Sequence, residues 1–485
     1  MSDIIKSSYE LACERIILPS YDAEIKRQQQ IEEENRIDRL PDFIDKTPDI
    51  AEIPQSFVPL DGSEDHLVAG QYEGIPKTEE PATENESLQL RVQTMHSVHY
   101  GEVESGDDIP EIYWHGSFTS YTGFSRMNRT FAFGLSNRGV RVKVDLQKSP
   151  VDINQSTMDE LDKMSNNFVA EDAPKIFGAT IPLLSAHAGK KILYTMIENS
   201  QTLHKDYMEK LNLFNEIWVP TEHGKKLFVD NGVCPPVYVM PLGVDPERYN
   251  DMVPPLNIHQ KMNPFVFLSV FKWNYRKGWD VLLRSYLEEF VSEDPVTLLI
   301  VSRTDVNHDR KKIVDDVKSV IDTINNPKLP HIVLYDKPVH ERYMPGVYAL
   351  ASAFVLISRG EGFGLPYMEA ASCGLPVIAS NCSGQSDFLN KDNSFLVDPE
   401  EYVKADVNGT MSRIAKHCRF YEGQMFPLFG DKSIAKTREH MRNVFENYDA
   451  ARVISKNLTQ LVRDKYTWDN AVDKVYNRIL EWSAK

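Results

Sequence analysis

Two carboxylates stand eight positions apart, Glu361 and Glu369, in the run Arg359-Gly-Glu-Gly-Phe-Gly-Leu-Pro-Tyr-Met-Glu-Ala370. Gly360, Gly362 and Gly364 allow a tight loop and let a ligand come close to the backbone. Pro366 suits the first turn of a helix, whose unpaired N–H groups and positive dipole end attract anions. Backbone amides from Gly362 through Phe363 and Gly364 to Leu365 would then cradle a diphosphate, while the two carboxylates accept hydrogen bonds from hydroxyls. That chemistry suits a nucleotide-sugar. The plainer alternative is a glycine-rich surface loop with two solvated glutamates.

Three cations follow another apolar run, in Phe267-Leu-Ser-Val-Phe-Lys-Trp-Asn-Tyr-Arg-Lys-Gly278. Lys272, Arg276 and Lys277 are placed to neutralise the charge that grows on a departing diphosphate, often the largest single catalytic contribution. The chain has no Asp-x-Asp triplet and no His/Cys/Asp cluster with metal-ligand spacing. The expectation is therefore a diphosphate met by lysines and helix amides, with no metal and no cofactor. No Ser-His-Asp set or nucleophile elbow is present either.

The elements that must position these groups alternate between strand and helix, the pattern of parallel α/β layers. The first unit reads as strands at 111–114, 140–144, 191–197, 216–221 and 237–245, with helices at 124–138 and 204–214. A proline-containing stretch, 246–263, reads as a hinge. The second unit has strands at 265–270, 297–301, 331–335, 353–358, 376–380 and 394–397. Its helices fall at 279–290, 310–324 and 343–351, and the tail from 434 to 482 is strongly helical. Two such units would leave a cleft at the strand carboxyl ends, where α/β folds bind ligands.

The net charge of −17 over 485 residues is unevenly spread. Residues 1–108 carry 25 acidic against 9 basic side chains, and the remaining chain 46 against 45. This argues against nucleic acid as a partner, which wants a basic face. The leading segment has a polar helical run at 28–39, a proline- and acid-rich stretch at 48–85 and an alternating strand at 88–95. Such composition buries too little apolar surface to fold by itself, so partial disorder is expected. It reads equally as a linker or as a docking segment for a protein partner. No window is long and apolar enough for a transmembrane span, and the first residues lack the apolar stretch of a signal peptide. The five cysteines, 13, 234, 373, 382 and 418, fit reduced thiols in a cytoplasmic compartment, free or peripheral to a membrane.

The carboxylate pair resembles the Glu-x7-Glu signature of the family-4 retaining glycosyltransferases, and the run ending Lys277-Gly278 resembles their basic motif. One departure is Lys272, where most members carry arginine, so the bidentate fork is lost. The resemblance covers roughly residues 110–482. It implies the GT-B architecture, an α/β fold of two Rossmann-like domains facing across a cleft. The reaction implied is transfer of a hexose from a nucleoside diphosphate sugar to a hydroxyl of a glycan, lipid or protein, with retention. By resemblance, Gly116 and Gly123 bound a loop near the donor phosphates, and Val339 lies where the nucleotide base is held. Arg126 is a plausible anion contact; Glu198 and Thr221 either line the acceptor side or cap helices. Tyr466-Thr-Trp-Asp-Asn-Ala471 resembles the closing helix.

The expected organisation is an acidic extension at 1–108, an acceptor domain at 109–245 and a hinge at 246–263. A nucleotide-sugar domain at 264–460 and a helix at 461–485 crossing back to the amino-terminal domain complete it. In this scheme Lys272 and Lys277 hold the diphosphate, Glu361 the donor sugar and Glu369 the ribose. The alternatives are a weakly catalytic GT-B scaffold tethered through 1–108, or a phosphorylase or epimerase of the same fold. Base, sugar, acceptor and oligomeric state are not legible.

Overall fold

The computed structural model describes residues 57–59, 109–120, 122–146, 153–180, 187–198, 201–258, 260–303, 310–337 and 339–483. The helical run at 28–39 and the strand at 88–95 lie outside these residues.

The first unit is a six-stranded parallel sheet in the order β3-β2-β4-β5-β6-β7. Its strands are β2 (Glu111–Gly116), β3 (Arg141–Leu146), β4 (Lys175–Gly178), β5 (Lys191–Tyr194), β6 (Glu216–Val219) and β7 (Val237–Val239). Strand β4 and the helix Gln155–Ser165 are additions to the elements legible in the sequence. Only four residues form β4, and three of them are buried, so no period-2 alternation marks it.

The second sheet is also parallel, ordered β1-β10-β9-β8-β11-β12-β13. Here β1 is Phe57–Pro59, β8 Phe265–Lys272, β9 Val296–Arg303, β10 His331–Tyr335, β11 Ala353–Leu356, β12 Val377–Ser380 and β13 Phe395–Val397. The backbone of β1 pairs with β10 at the sheet edge. The central strands β8, β11 and β12 are nearly or wholly buried, as expected where helices cover both faces of a parallel sheet. A two-stranded antiparallel hairpin, β14 (Glu401–Lys404) and β15 (Met425–Leu428), is an addition the sequence did not suggest.

The helical tail resolves into Asp431–Glu446, Tyr448–Lys465 and Trp468–Ser483. The second of these packs on the helix Leu365–Ser372 of the second unit, and the third on the helix Gly123–Ser136 of the first. The return to the first unit is stapled where the backbone of Val244 meets Tyr466 and Trp468. Beyond it, Glu216 accepts from Arg478 (2.8 and 2.7 Å), Lys190 (3.0 Å) and the Trp218 indole (2.7 Å). A glutamate only 1% exposed is tolerable in that setting because every lone pair it presents is met by a donor. Among the described residues no helix is long and apolar enough to cross a membrane.

Candidate active site

Two loops meet at the carboxyl ends of β8 and β11. The chain leaves β8 into a 3₁₀ turn, Tyr275–Lys277, that carries Arg276 and Lys277. It leaves β11 into the loop carrying Glu361, which ends at Gly364 with φ 105° and opens the helix Leu365–Ser372. Glycine is required there, because an L side chain strongly disfavours that backbone region. Pro366 sits in the first turn, as the sequence implied.

The Lys277 ammonium lies 2.7 Å from both carboxylate oxygens of Glu361, and the two side chains are only 12% and 7% exposed. Burial alone would push the Glu361 carboxyl up, but Lys277 and Arg276 outweigh it and hold the group below its ordinary range. Burial lowers the Lys277 ammonium more than Glu361 raises it. Glu361 is fixed through its backbone as well. Its N–H donates to Ser383 Oγ (2.9 Å) and its carbonyl accepts from the Gly384 N–H (2.9 Å).

Arg359 ties the two loops together. Its guanidinium is 1% exposed, forks onto Asp280 (2.7 and 2.8 Å) and donates to the Tyr275 carbonyl (2.8 Å). It also stacks 4.0 Å from the Tyr275 ring centre. The Arg359 N–H donates to the Arg276 carbonyl at 2.6 Å. From sequence alone Arg359 stands in the carboxylate motif without an assignable role. Its signal was its place beside the carboxylate, but its partner Asp280 lies 79 positions away.

Glu369, one helix turn beyond Gly364, accepts from the Tyr348 hydroxyl (2.6 Å) and from Arg126 of the first unit. Arg126 also contacts Glu341 (3.2 Å), which lies 3.3 Å from Arg129. Burial opposes the Arg126 charge, yet Tyr249, Glu369 and Glu341 together hold it more firmly protonated than usual. The anion contact expected of Arg126 is thus made here with protein carboxylates. Tyr348 and Glu341 carry no motif that would have singled them out.

Other expected residues fall less centrally. Lys272 ends β8 as an exposed residue, paired in register with Arg303, and its charge, with that of Arg276, acts on His417. Gly116 closes β2 against Asn128 and the Gly178 carbonyl, and Gly123 begins the next helix. Between them Ser117 and Ser120 each lie 2.7 Å from Ser125 Oγ, so these hydroxyls satisfy one another. The Thr221 hydroxyl accepts from the Gly224 N–H at 3.0 Å, which makes it the cap of helix Glu222–Asp230. Val339 packs on the apolar core. Phe363 is buried against Phe388 and Tyr466, leaving only its backbone for a ligand.

The glycines of the carboxylate loop also differ from expectation. A Cβ at Gly360 would overlap the Glu198 carbonyl oxygen, and one at Gly362 would come within 2.8 Å of Met196. The room assigned to a ligand at these two positions is taken by the first unit. Glu198 itself lies 3.5 Å from Arg276 and accepts from the Tyr421 hydroxyl at 2.7 Å.

Residues 263–411 match the family described as glycosyl transferases group 1. The chain is 41% identical over 63 residues to O-antigen chain mannosyltransferase B of Escherichia coli, covering 13% of this chain and 16% of that protein. It is 27% identical over 198 residues to a probable sucrose-phosphate synthase of Oryza sativa, covering 37% and 19%. The chain therefore spans less than a fifth of the length of either relative. An Anabaena protein, HepE, solved in complex with UDP and glucose, superposes with a TM-score of 0.51 at 12% identity, over 77% of this chain and 100% of that one. That likeness establishes the fold as the expected GT-B arrangement.

Proposed function

We propose, from a second unit that belongs to the glycosyl transferases group 1 family, that this chain is a retaining glycosyltransferase. It moves a hexosyl group from a nucleoside diphosphate sugar to a hydroxyl acceptor. The observation that carries the reading is the Lys277–Glu361 pair, held at the mouth of the helix that bears Glu369. On one side of this point sits a buried ammonium with Arg276 beside it. On the other, two carboxylates stand one loop and one helical turn apart. The helix N-terminus between them offers amides to an anion.

In this reading Lys277 and Arg276 leave their carboxylate partners for the diphosphate and stabilise the leaving group. Glu361, released from Lys277, accepts hydrogen bonds from sugar hydroxyls, and Glu369 does so from the ribose. The exchange is close to balanced, because each charged group trades one oppositely charged or polar partner for another in a site of low dielectric. The HepE complex with UDP and glucose, and the mannosyltransferase relative, support UDP-glucose and a nucleotide-linked mannose as the first donors to test.

The test is mass spectrometry of products after incubation with UDP-glucose, UDP-galactose, GDP-mannose and ADP-glucose, alone and with sugar acceptors. Release of nucleoside diphosphate with an α-linked product is expected from one of them. Calorimetry showing that none of the four binds would overturn the reading and favour a non-catalytic scaffold.

A further inference from the structure

Between β13 and the helix Asp431–Glu446 the second unit makes an excursion, residues 399–430. It contains the β14/β15 hairpin, the helix Ser412–His417 and the turn Arg419–Tyr421. Although both its ends belong to the second unit, and Tyr275 of that unit borders it, most of its apolar face packs on the first unit. Met411, Ile414, Cys418, Phe420 and Phe426 share one buried cluster with Ile197, Tyr207, Leu211 and Phe228 of the first unit. The Phe420 ring meets Tyr207 edge-on at 5.1 Å. The excursion is thus a strap laid across the junction of the two units.

Two residues from the middle of the strap touch loops of the candidate site. On the first unit, the buried Tyr421 hydroxyl donates to Glu198 Oε2 at 2.7 Å. On the second, Arg413 pairs with Asp316 at 2.5 Å and lies over the rings of Tyr275 (5.3 Å) and Trp279 (4.9 Å), which flank Arg276 and Lys277. Glu198 Oε1 then faces Arg276 at 3.5 Å. A carboxylate beside an arginine but held by nothing else would swing fully onto the guanidinium. Tyr421 holds the second oxygen and keeps the group at the line where the units meet.

We infer that the strap is an acceptor-side specificity element, in which Tyr421 is a positioning residue that orients Glu198 toward an acceptor hydroxyl. This rests on the transferase reading above and assigns its acceptor half a structural origin. Glu198 is the group that meets the acceptor, and Tyr421 acts only through it.

The experiment compares the full chain with its Tyr421→Phe variant, which keeps the ring and removes only the hydroxyl. The octyl α-glycosides of mannose, glucose and galactose serve as acceptor probes, with the donor that the unaltered chain turns over. The acceptor KM should rise roughly tenfold, the scale of one hydrogen bond to a charged group, while the donor KM moves far less. Phe420→Ala, which loosens the strap from Tyr207, should shift the same acceptor constant. In a Glu198→Gln background the Tyr421→Phe effect should largely vanish. An acceptor KM unchanged in Tyr421→Phe, or acceptor and donor KM rising together, overturns the positioning role and leaves the transferase reading intact. An unaltered chain that turns over no nucleotide-sugar overturns both.

Discussion

The ammonium of Lys277 lies 2.7 Å from each carboxylate oxygen of Glu361, 84 positions away in sequence. Two groups that sequence reasoning gave to different parts of a substrate are each other's partners in this structure. Any anion that takes Lys277 must therefore also free Glu361, so donor phosphate and donor sugar would be bound in one coupled exchange.

Lys277→Ala removes the cation nearest the proposed leaving group. Turnover should fall by about 10²–10³, the scale of losing one key electrostatic donor. The variant also leaves Glu361 buried without its closest counter-charge, which should cost about 3–5 kcal/mol of stability. Donor hydrolysis rates and urea midpoints check the two effects separately, and unchanged rates would remove Lys277 from the catalytic set.

The same pair predicts a pH dependence. Lys277 and Arg276, opposing burial, hold the folded Glu361 carboxyl below its ordinary 4.5. The folded state thus binds that proton less readily than the unfolded chain. Its stabilising contribution is complete above the ordinary value and is lost as pH falls through the depressed folded one. Glu361→Gln should be less stable than the unaltered chain at neutral pH and converge toward it in acid. Urea midpoints across this range test it; parallel curves would contradict the assignment.

Glu369→Gln keeps side-chain shape while removing the charge proposed to accept from the ribose. Affinity for UDP or GDP, whichever binds, should drop by roughly tenfold or more. The loss for the 2′,3′-dideoxy analogue should be far smaller. Calorimetry giving equal losses for both would place the ribose elsewhere.

Gly360→Ala puts a methyl group onto the Glu198 carbonyl. Backbone lies on both sides, so neither can give way cheaply. An overpacking cost of about 1–3 kcal/mol is expected, read as a lowered urea midpoint. An unchanged midpoint would mean that the two units meet differently in solution.

The carboxylate loop was legible because its signals are local. A buried strand, a glycine at positive φ and a proline in the first helical turn all act within a dozen residues. The same holds for the alternation of strands and helices that gave two α/β units and for the helical tail, whereas the return of its last helix to the first unit came only from the family resemblance of Tyr466–Ala471. Short β4 escaped because four residues offer no period, and the strap escaped because nothing in its own sequence says which unit its apolar face covers.

Residue types and spacing alone determined the two-unit architecture and the candidacy of Arg276, Lys277, Glu361 and Glu369, since loop and helix geometry follow from neighbouring residues. Tertiary structure decided the pairings. Arg126 reaches Glu369 across 243 positions, and Tyr421 reaches Glu198 across 223. Arg359 joins the two site loops through Asp280, and Lys272 lies exposed at the end of β8. Such contacts depend on how two packed layers meet, and burial then makes each charged group find a partner, a choice that no local propensity encodes.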